Sequence, residues 1–399
     1  MTTAHPARPC PICGSGDRRI LFRQEFAAVD EGTAFTGYDV VVCMRCGFGY
    51  ADRIPTQEVF DRYYRDMSKY EYSHREGAES AYDQRRLALI AEIVAPRLPG
   101  PETRVLDVGC ANGRLLANLR GHGFPNIVGL DPSPACAAAA ARLYDVDVRT
   151  MTLAETAATA ERFDTIIMIG VLEHLRDLHE SFDHLRMLLT EGGLLYVEVP
   201  DATAFADWDN APFQDFSTEH INFFSPVSLD NLMHRHGFRR VFLEQNHREQ
   251  SYRTVMSNLS AFYRKAEIAA TDSPAVDRDT VKGLERYIER SAAEDARLRA
   301  RIDAVVDSGR RILVWGVGTH TTRLMATSRL ADANIDAFIE SNARYRGRTL
   351  HGRPILPPVA LKERREPVLV SSRVFQHEIA AQIRDDLKCT NELILLYNV

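Results

Sequence analysis

The chain has 399 residues, a formal net charge of −6, 45% hydrophobic and 26% charged residues, and seven cysteines. That length accommodates two or three domains with cores of their own, and a mildly negative charge supplies no basic field for nucleic acid. No apolar run approaches the roughly 20 residues of a membrane helix, the first residues lack an apolar signal core, and the uneven cysteines do not make a disulfide scaffold, so a reducing cytoplasm is the expected setting.

Two Cys-x-x-Cys pairs open the chain: Cys10 and Cys13, then Cys43 and Cys46. Each pair presents two sulfurs from one tight turn, and each is followed by a glycine, Gly14 or Gly47, that lets the backbone curl around them. Four thiolates form a closed tetrahedral site of the structural zinc type. The intervening strand-like stretches Ile20–Phe22 and Tyr38–Val42 predict a small zinc ribbon over residues 1–55 that relies on Zn2+ for its folding energy. A redox dithiol is disfavoured because neither pair is surrounded by a thioredoxin-like βαβ pattern. The arginines flanking the ribbon are offset by acids, so a structural or substrate-covering module is expected rather than a nucleic-acid reader. Cys110, Cys136 and Cys389 are left over and read by default as buried and inert.

Residues 56–100 read as a helical cap rich in tyrosine: Tyr63, Tyr64, Tyr70, Tyr72 and Tyr82. Pro99-Gly100-Pro101 then breaks the helix. The most informative run follows. Val105-Leu106-Asp107-Val108 is a buried strand, Gly109-Cys110-Ala111-Asn112-Gly113 a tight turn, and Arg114 to Gly121 a helix. Glycines at 109 and 113 allow a ligand to approach the backbone. Asp131 ends the next apolar run, at the distance of roughly 20 residues where an acid meets ribose hydroxyls in dinucleotide folds. The spacing Gly109-x-x-x-Gly113 departs from the dinucleotide fingerprint, and the strand ends in an acid, poor company for a pyrophosphate but suited to a ribose and a cationic amino-acid tail. These residues resemble motif I of the class I S-adenosylmethionine (SAM) methyltransferases. The resemblance implies that Asp107, Gly109, Cys110, Ala111, Gly113 and Asp131, with Gly170 after a later strand, surround the cofactor.

Strands are predicted near 104–109, 126–131, 146–150, 164–169 and 193–199, with helices near 113–121, 133–144 and 177–190. This alternation implies a parallel sheet covered on both faces. A short helix over Leu229–Gly237 and a last strand at Val241–Leu243 close a core spanning 101–246. Residues 251–307 have almost no strand character and read as a long amphipathic helix, a connector over 247–308. A second alternating unit, 309–399, opens with Arg311–Trp315 and the turn Gly316-x-Gly318-x-x-Thr321. It lacks the third glycine, so holding one nucleotide of a substrate is a better expectation than NAD.

Two acid–histidine pairs can carry chemistry: Glu173-His174 after the fourth core strand and Glu219-His220 in an aromatic loop after the fifth. Both fall at the carboxyl edge of the sheet, where open parallel sheets bind ligands. His220 supported by Glu219 is the candidate base, His174 a second contact able to steady an enolate, and Tyr72 the candidate phenol donor. Zinc held by His174 and His220 is disfavoured by the lack of a His-x-x-x-His ligand set.

The order of four-cysteine knot, SAM-type turn, Glu-His loop, helical connector and second Rossmann-like unit resembles the sugar C-methyltransferases of deoxysugar biosynthesis. It covers nearly the whole chain, most specifically Cys10, Cys13, Cys43, Cys46, Val105–Gly113, Val171–His174 and Thr218–His220. The resemblance implies an α/β fold with an N-terminal zinc ribbon, a class I methyltransferase core and a C-terminal Rossmann-like domain. It implies SAM as methyl donor, structural zinc, a nucleotide-linked keto sugar as small-molecule partner, and Glu219-His220 as catalytic centre, in a monomer or homodimer. One departure stands out: Ser217 and Thr218 occupy the positions where the family usually carries Tyr-His before the Glu-His pair. An O- or N-methyltransferase using the same pair is the alternative enzyme, and a zinc-ribbon binding protein on a vestigial scaffold the alternative of another class.

Overall fold

The computed structural model describes residues 5–29, 35–66, 78–251, 254–268 and 273–397. Three sheets organise them. The ribbon contributes β1 (Arg18–Glu25), β2 (Gly37–Cys43) and β3 (Gly49–Asp52), all antiparallel, before α1 (Gln57–Asp66) and α2 (Ala81–Val94).

The core then alternates: β4 (Val105–Val108), α3 (Arg114–Gly121), β5 (Ile127–Leu130), α4 (Pro134–Tyr144), β6 (Val148–Arg149), α5 (Leu153–Ala157), β7 (Phe163–Ile169), α6 (Leu178–Leu188) and β8 (Leu189–Pro200). Helix entries follow the chain chemistry. Ser133 caps α4 by accepting from the Cys136 amide, with Pro134 in the first turn, where a missing N–H costs nothing. After the two-residue β9 (Asn222–Phe223) and α7 (Pro226–Arg235) come β10 (Phe238–Ser251) and β11 (Thr254–Lys265). The seven-stranded order is β10-β11-β8-β7-β4-β5-β6. β4, β5, β6, β7 and β8 pair in parallel; β11 inserts antiparallel beside β8 and pairs antiparallel with β10. This is the Rossmann-like class I methyltransferase sheet.

Here the structure corrects the expectation that 251–307 lacks strands. β11 lies inside the sheet, β10 runs well past Leu243, and the sheet crosses the boundary expected at 246. The helix is α8 (Arg278–Asp307), whose 30 residues give it a length of about 45 Å. Its first half buries Leu284 and Tyr287 against the ribbon side, its second half Leu298 and Ile302 against the C-terminal unit. Gly283 permits this docking, since a Cβ there would lie 2.7 Å from the Ala202 carbonyl oxygen.

The C-terminal unit comprises β12 (Ile312–Trp315), α9 (Thr319–Thr327), β13 (Ile335–Ile339), β14 (Thr349–Leu350), β15 (Arg353–Leu356), β16 (Val368–Val370), α10 (Gln376–Ala381) and β17 (Leu393–Leu395). Its sheet order is β14-β15-β13-β12-β16-β17, parallel except for the β14–β15 hairpin. No helix among the described residues is long and apolar enough to cross a membrane.

Candidate active site

Each predicted cofactor residue of the glycine turn sits at the carboxyl ends of β4 and β5. Gly109 and Gly113 have φ of +73° and +80°, and Ala111 shares the left-handed region at +50°. A Cβ on Gly109 would stand 2.6 Å from Val171 Cγ2. At Gly113 packing adds to the left-handed backbone, because a Cβ there would meet Val146 and Ala140. The Cys110 sulfur fills the space beside Gly129, leaving its backbone toward the cleft. Asp131 orders the turn: Oδ2 accepts from the Ala111 amide at 3.0 Å and Oδ1 from the Ser133 amide at 2.9 Å.

The cleft against this turn is lined by Asp107, Gly109, Cys110, Ala111, Asn112 and Ile169, and from α2 and its approach by Glu79, Asp83 and Arg86. Among the described residues it is an acidic cleft lined by one arginine, and Arg86 itself pairs with buried Glu198 at 3.3 Å. Burial first, and then the charge on Asp131, push the Asp107 carboxyl up to about 8. A cationic ligand reverses that repulsion, so the cleft fits a sulfonium with an amino-acid tail. Glu79, Asp83 and Arg86 were not singled out from sequence, since nothing local distinguishes them from a solvated helix face.

The first Glu-His pair follows the residue that packs on this turn, and the second pair meets the first. Gly170 (φ +64°) ends β7, and Val171, which covers Gly109, leads directly into Glu173 and His174. His174 and His220 meet with ring centroids 4.9 Å apart. The Glu219 carbonyl oxygen lies 3.0 Å from His174 Nδ1; a carbonyl only accepts, which assigns a proton to Nδ1. Nε2 of the same ring faces Glu173 Oε1 at 3.9 Å. The two loops are stitched together, because the amides of Ile221 and Asn222 donate to the Glu173 carbonyl at 2.8 and 3.2 Å. Ser217 does not supply the phenol of the sugar-methyltransferase pattern. Its hydroxyl accepts from the Glu219 and His220 amides and shapes the turn.

Phenols come from α1 instead. Tyr63 Oη donates to Glu219 Oε1 at 2.9 Å, and Tyr64 Oη lies 3.0 Å from His174 Nδ1. Burial first, then nearby carboxylates, raise both phenols well above their ordinary value, so they stay neutral donors. Tyr72 lies outside the described residues. The tyrosine-rich composition flagged this segment, but only the docking of α1 selects Tyr63 and Tyr64.

The ribbon supports the histidine loop from behind. β3 pairs with β9, Tyr50 opposite Asn222. Tyr38 Oη donates to the Ser217 carbonyl at 2.9 Å, and Gln24 Nε2 to the Phe216 carbonyl at 2.9 Å. The cysteine sulfurs gather with Cys10–Cys46 at 3.6 Å and Cys13–Cys43 at 3.5 Å. A tetrahedron of thiolates around zinc needs S···S of about 3.8 Å, so the cluster is compatible with that metal. Glu173, His174 and His220 form a second group with ligand-type atoms within 4.8 Å of one another.

The second glycine turn repeats the first. Glu340 Oε2 accepts from the Val317 amide at 3.1 Å and Oε1 from the Asn342 amide at 2.9 Å, as Asp131 does with Ala111 and Ser133. Burial first, and then Glu340 and Glu219, raise the Tyr345 phenol.

A methyltransferase-domain family matches residues 78–242. The chain is 25% identical over 372 residues to the C-methyltransferase NovU of Streptomyces niveus, covering 87% of this chain and 84% of that protein. It is 31% identical over 156 residues to a tRNA U34 carboxymethyltransferase of Ectopseudomonas mendocina, a match covering 37% of this chain and about half (48%) of that protein. Among solved structures it is similar to the SAH-bound magnesium protoporphyrin IX methyltransferase of Synechocystis PCC 6803, with a TM-score of 0.39 and 14% identity over 53% of this chain and all of that one. With the class I sheet, the glycine turn and Asp131 in place, residues 78–242 are a methyltransferase domain, and the chain is a SAM-dependent methyltransferase.

Proposed function

We propose that this enzyme methylates a carbon of a nucleotide-linked keto sugar or a closely related small molecule, with His220 and Glu219 as the general base. The observation that carries the reading is the meeting of His174 and His220 beside the loop that covers Gly109. Similarity to a C-methyltransferase over 87% of the chain supports carbon as the methylated atom.

SAM supplies a methyl group on a sulfonium, transferred by in-line displacement, so the protein's part is alignment and proton management. Asp107 and the Gly109 turn would hold the methionine portion, Arg86 would pair with its carboxylate, and Asp131 would accept from the ribose hydroxyls. His220, hydrogen-bonded into the turn made by Ser217, takes the proton from the carbon beside the acceptor ketone. The neutral Tyr64 hydroxyl, with His174 once Nε2 also carries a proton, stabilises the enolate oxygen, Tyr63 holds Glu219 in place, and the enolate carbon takes the methyl as its bond to sulfur breaks and S-adenosylhomocysteine leaves. The four cysteines hold structural zinc, and the C-terminal unit covers the nucleotide.

Incubation with 13C-methyl SAM and a panel of nucleotide-linked keto sugars, read by NMR, tests this. A new C–CH3 resonance is expected. A labelled O- or N-methyl product moves the enzyme to the alternative chemistry, and no transfer to any member of the panel removes the sugar assignment.

A further inference from the structure

We infer that Arg8 and Asn222 form a clasp that sets the relative position of the two active-site histidines. His174 and His220 both lie in loops, outside regular strands or helices, so beyond the bonds at the Glu173 and Glu219 carbonyls no regular ladder fixes one ring against the other. Their flanking carbonyls, buried at Leu172 and Ile221 and partly buried at Leu175 and Arg176, must still find donors. Arg8, 5% exposed, supplies them. One Nη donates to the Arg176 carbonyl at 3.1 Å, just past His174. The other donates to the Ile221 carbonyl at 2.9 Å, next to His220, and to Asn222 Oδ1 at 3.2 Å. Asn222 completes the strap, its Nδ2 donating to the Leu172 and Leu175 carbonyls at 2.9 and 2.7 Å, on both sides of His174.

The fork is itself anchored. Arg8 Nε donates to the Ala51 carbonyl at 2.9 Å and its backbone amide to Asp52 Oδ1 at 2.8 Å. Cys10 of the four-cysteine knot is two residues away. The rigid planar fork of arginine is what spans both loops at once; a lysine keeps the charge and loses the geometry. A misplacement of about 1 Å between reacting groups costs on the order of a hundredfold in rate. Arg8 and Asn222 are therefore positioning residues, and the inference rests on the proposed role of the histidine pair.

The test uses the zinc-loaded full chain labelled with 15N-histidine. Long-range 1H–15N spectra follow the tautomer and titration of His174 and His220, assigned with His174→Gln and His220→Gln, while calorimetry with S-adenosylhomocysteine reads the cofactor cleft. For Arg8→Lys the clasp predicts S-adenosylhomocysteine affinity within about twofold of wild type, an altered His174 Nδ1–H signal, and a His220 midpoint moved by about half a unit or more. Superimposable histidine curves in the folded variant overturn it. If Arg8→Lys does not fold, Asn222→Ala removes the strap to Leu172 and Leu175 and one acceptor of the Arg8 fork while leaving Arg8 in place, and unchanged curves there overturn the clasp equally. Retained turnover in His220→Ala would instead remove the general-base reading, an outcome the spectra do not depend on.

Discussion

The imidazoles of His174 and His220 meet edge to face, planes at 78°, although 45 residues separate the nearest bonded groups of their loops. One ring is tied by Nδ1 to the backbone of the other loop. If His220 is the base, His220→Ala lowers turnover by about 10²–10⁴-fold while SAM affinity stays near wild type. Steady-state kinetics with parallel calorimetry checks this, and a variant of unchanged turnover excludes the assignment.

Asp131→Ala removes the acceptor that orders the Ala111 and Ser133 amides, together with the proposed ribose contact. SAM binding weakens by about 10–100-fold, the worth of charged hydrogen bonds of about 1.5–3 kcal/mol. Calorimetry reads this directly; equal affinity would place the ribose elsewhere.

Asp107 gives SAM binding a pH dependence of defined sign. Its carboxyl, pushed up to about 8 by burial and Asp131, is mostly protonated at neutral pH without ligand. In the unliganded protein this group contributes stability at low pH that is lost as pH rises from the ordinary carboxylate range toward 8. A bound cation draws the pKa down, so binding releases a proton, and affinity rises with pH and levels off above about 8. Calorimetry in two buffers of different ionisation enthalpy measures the release, and Asp107→Asn abolishes both effects.

Metal analysis should find one zinc per chain, lost on substituting Cys46→Ser. Without it the 214–224 loop exchanges amide hydrogens faster, because Tyr38, Gln24 and β3 reach that loop from the ribbon. A second equivalent of metal that depends on Glu173 would give the Glu173–His174–His220 group a metal-binding role.

Gly47→Ala tests the seam between ribbon and α8. Gly47 has φ +79°, and a Cβ there would collide with the Asp277 carbonyl at the α8 cap. The substitution destabilises by about 1–3 kcal/mol, read as a lowered thermal midpoint; an unchanged midpoint would show that the seam yields.

Local chemistry made much of this protein legible from its residues. Glycines beside a buried strand, an acid ending the next strand, two Cys-x-x-Cys pairs and 3.6-residue apolar spacing are short-range signals, and they located the turn, the knot, α4, α6 and the second unit's first strands. β11 escaped because its buried positions are not all apolar. Ser260 bonds Glu198 and Asn246, and Ser257 bonds His247, so polar side chains sit inside the sheet and erase the alternation. What only the tertiary structure decided are the encounters between distant segments: Arg8 with Arg176 and Ile221, Tyr63 with Glu219, Tyr50 opposite Asn222. Sequence fixes conformation over a few residues through sterics and hydrogen-bond inventory. Which side chain answers a buried carbonyl two hundred positions away depends on how whole layers pack, and that geometry no local pattern encodes.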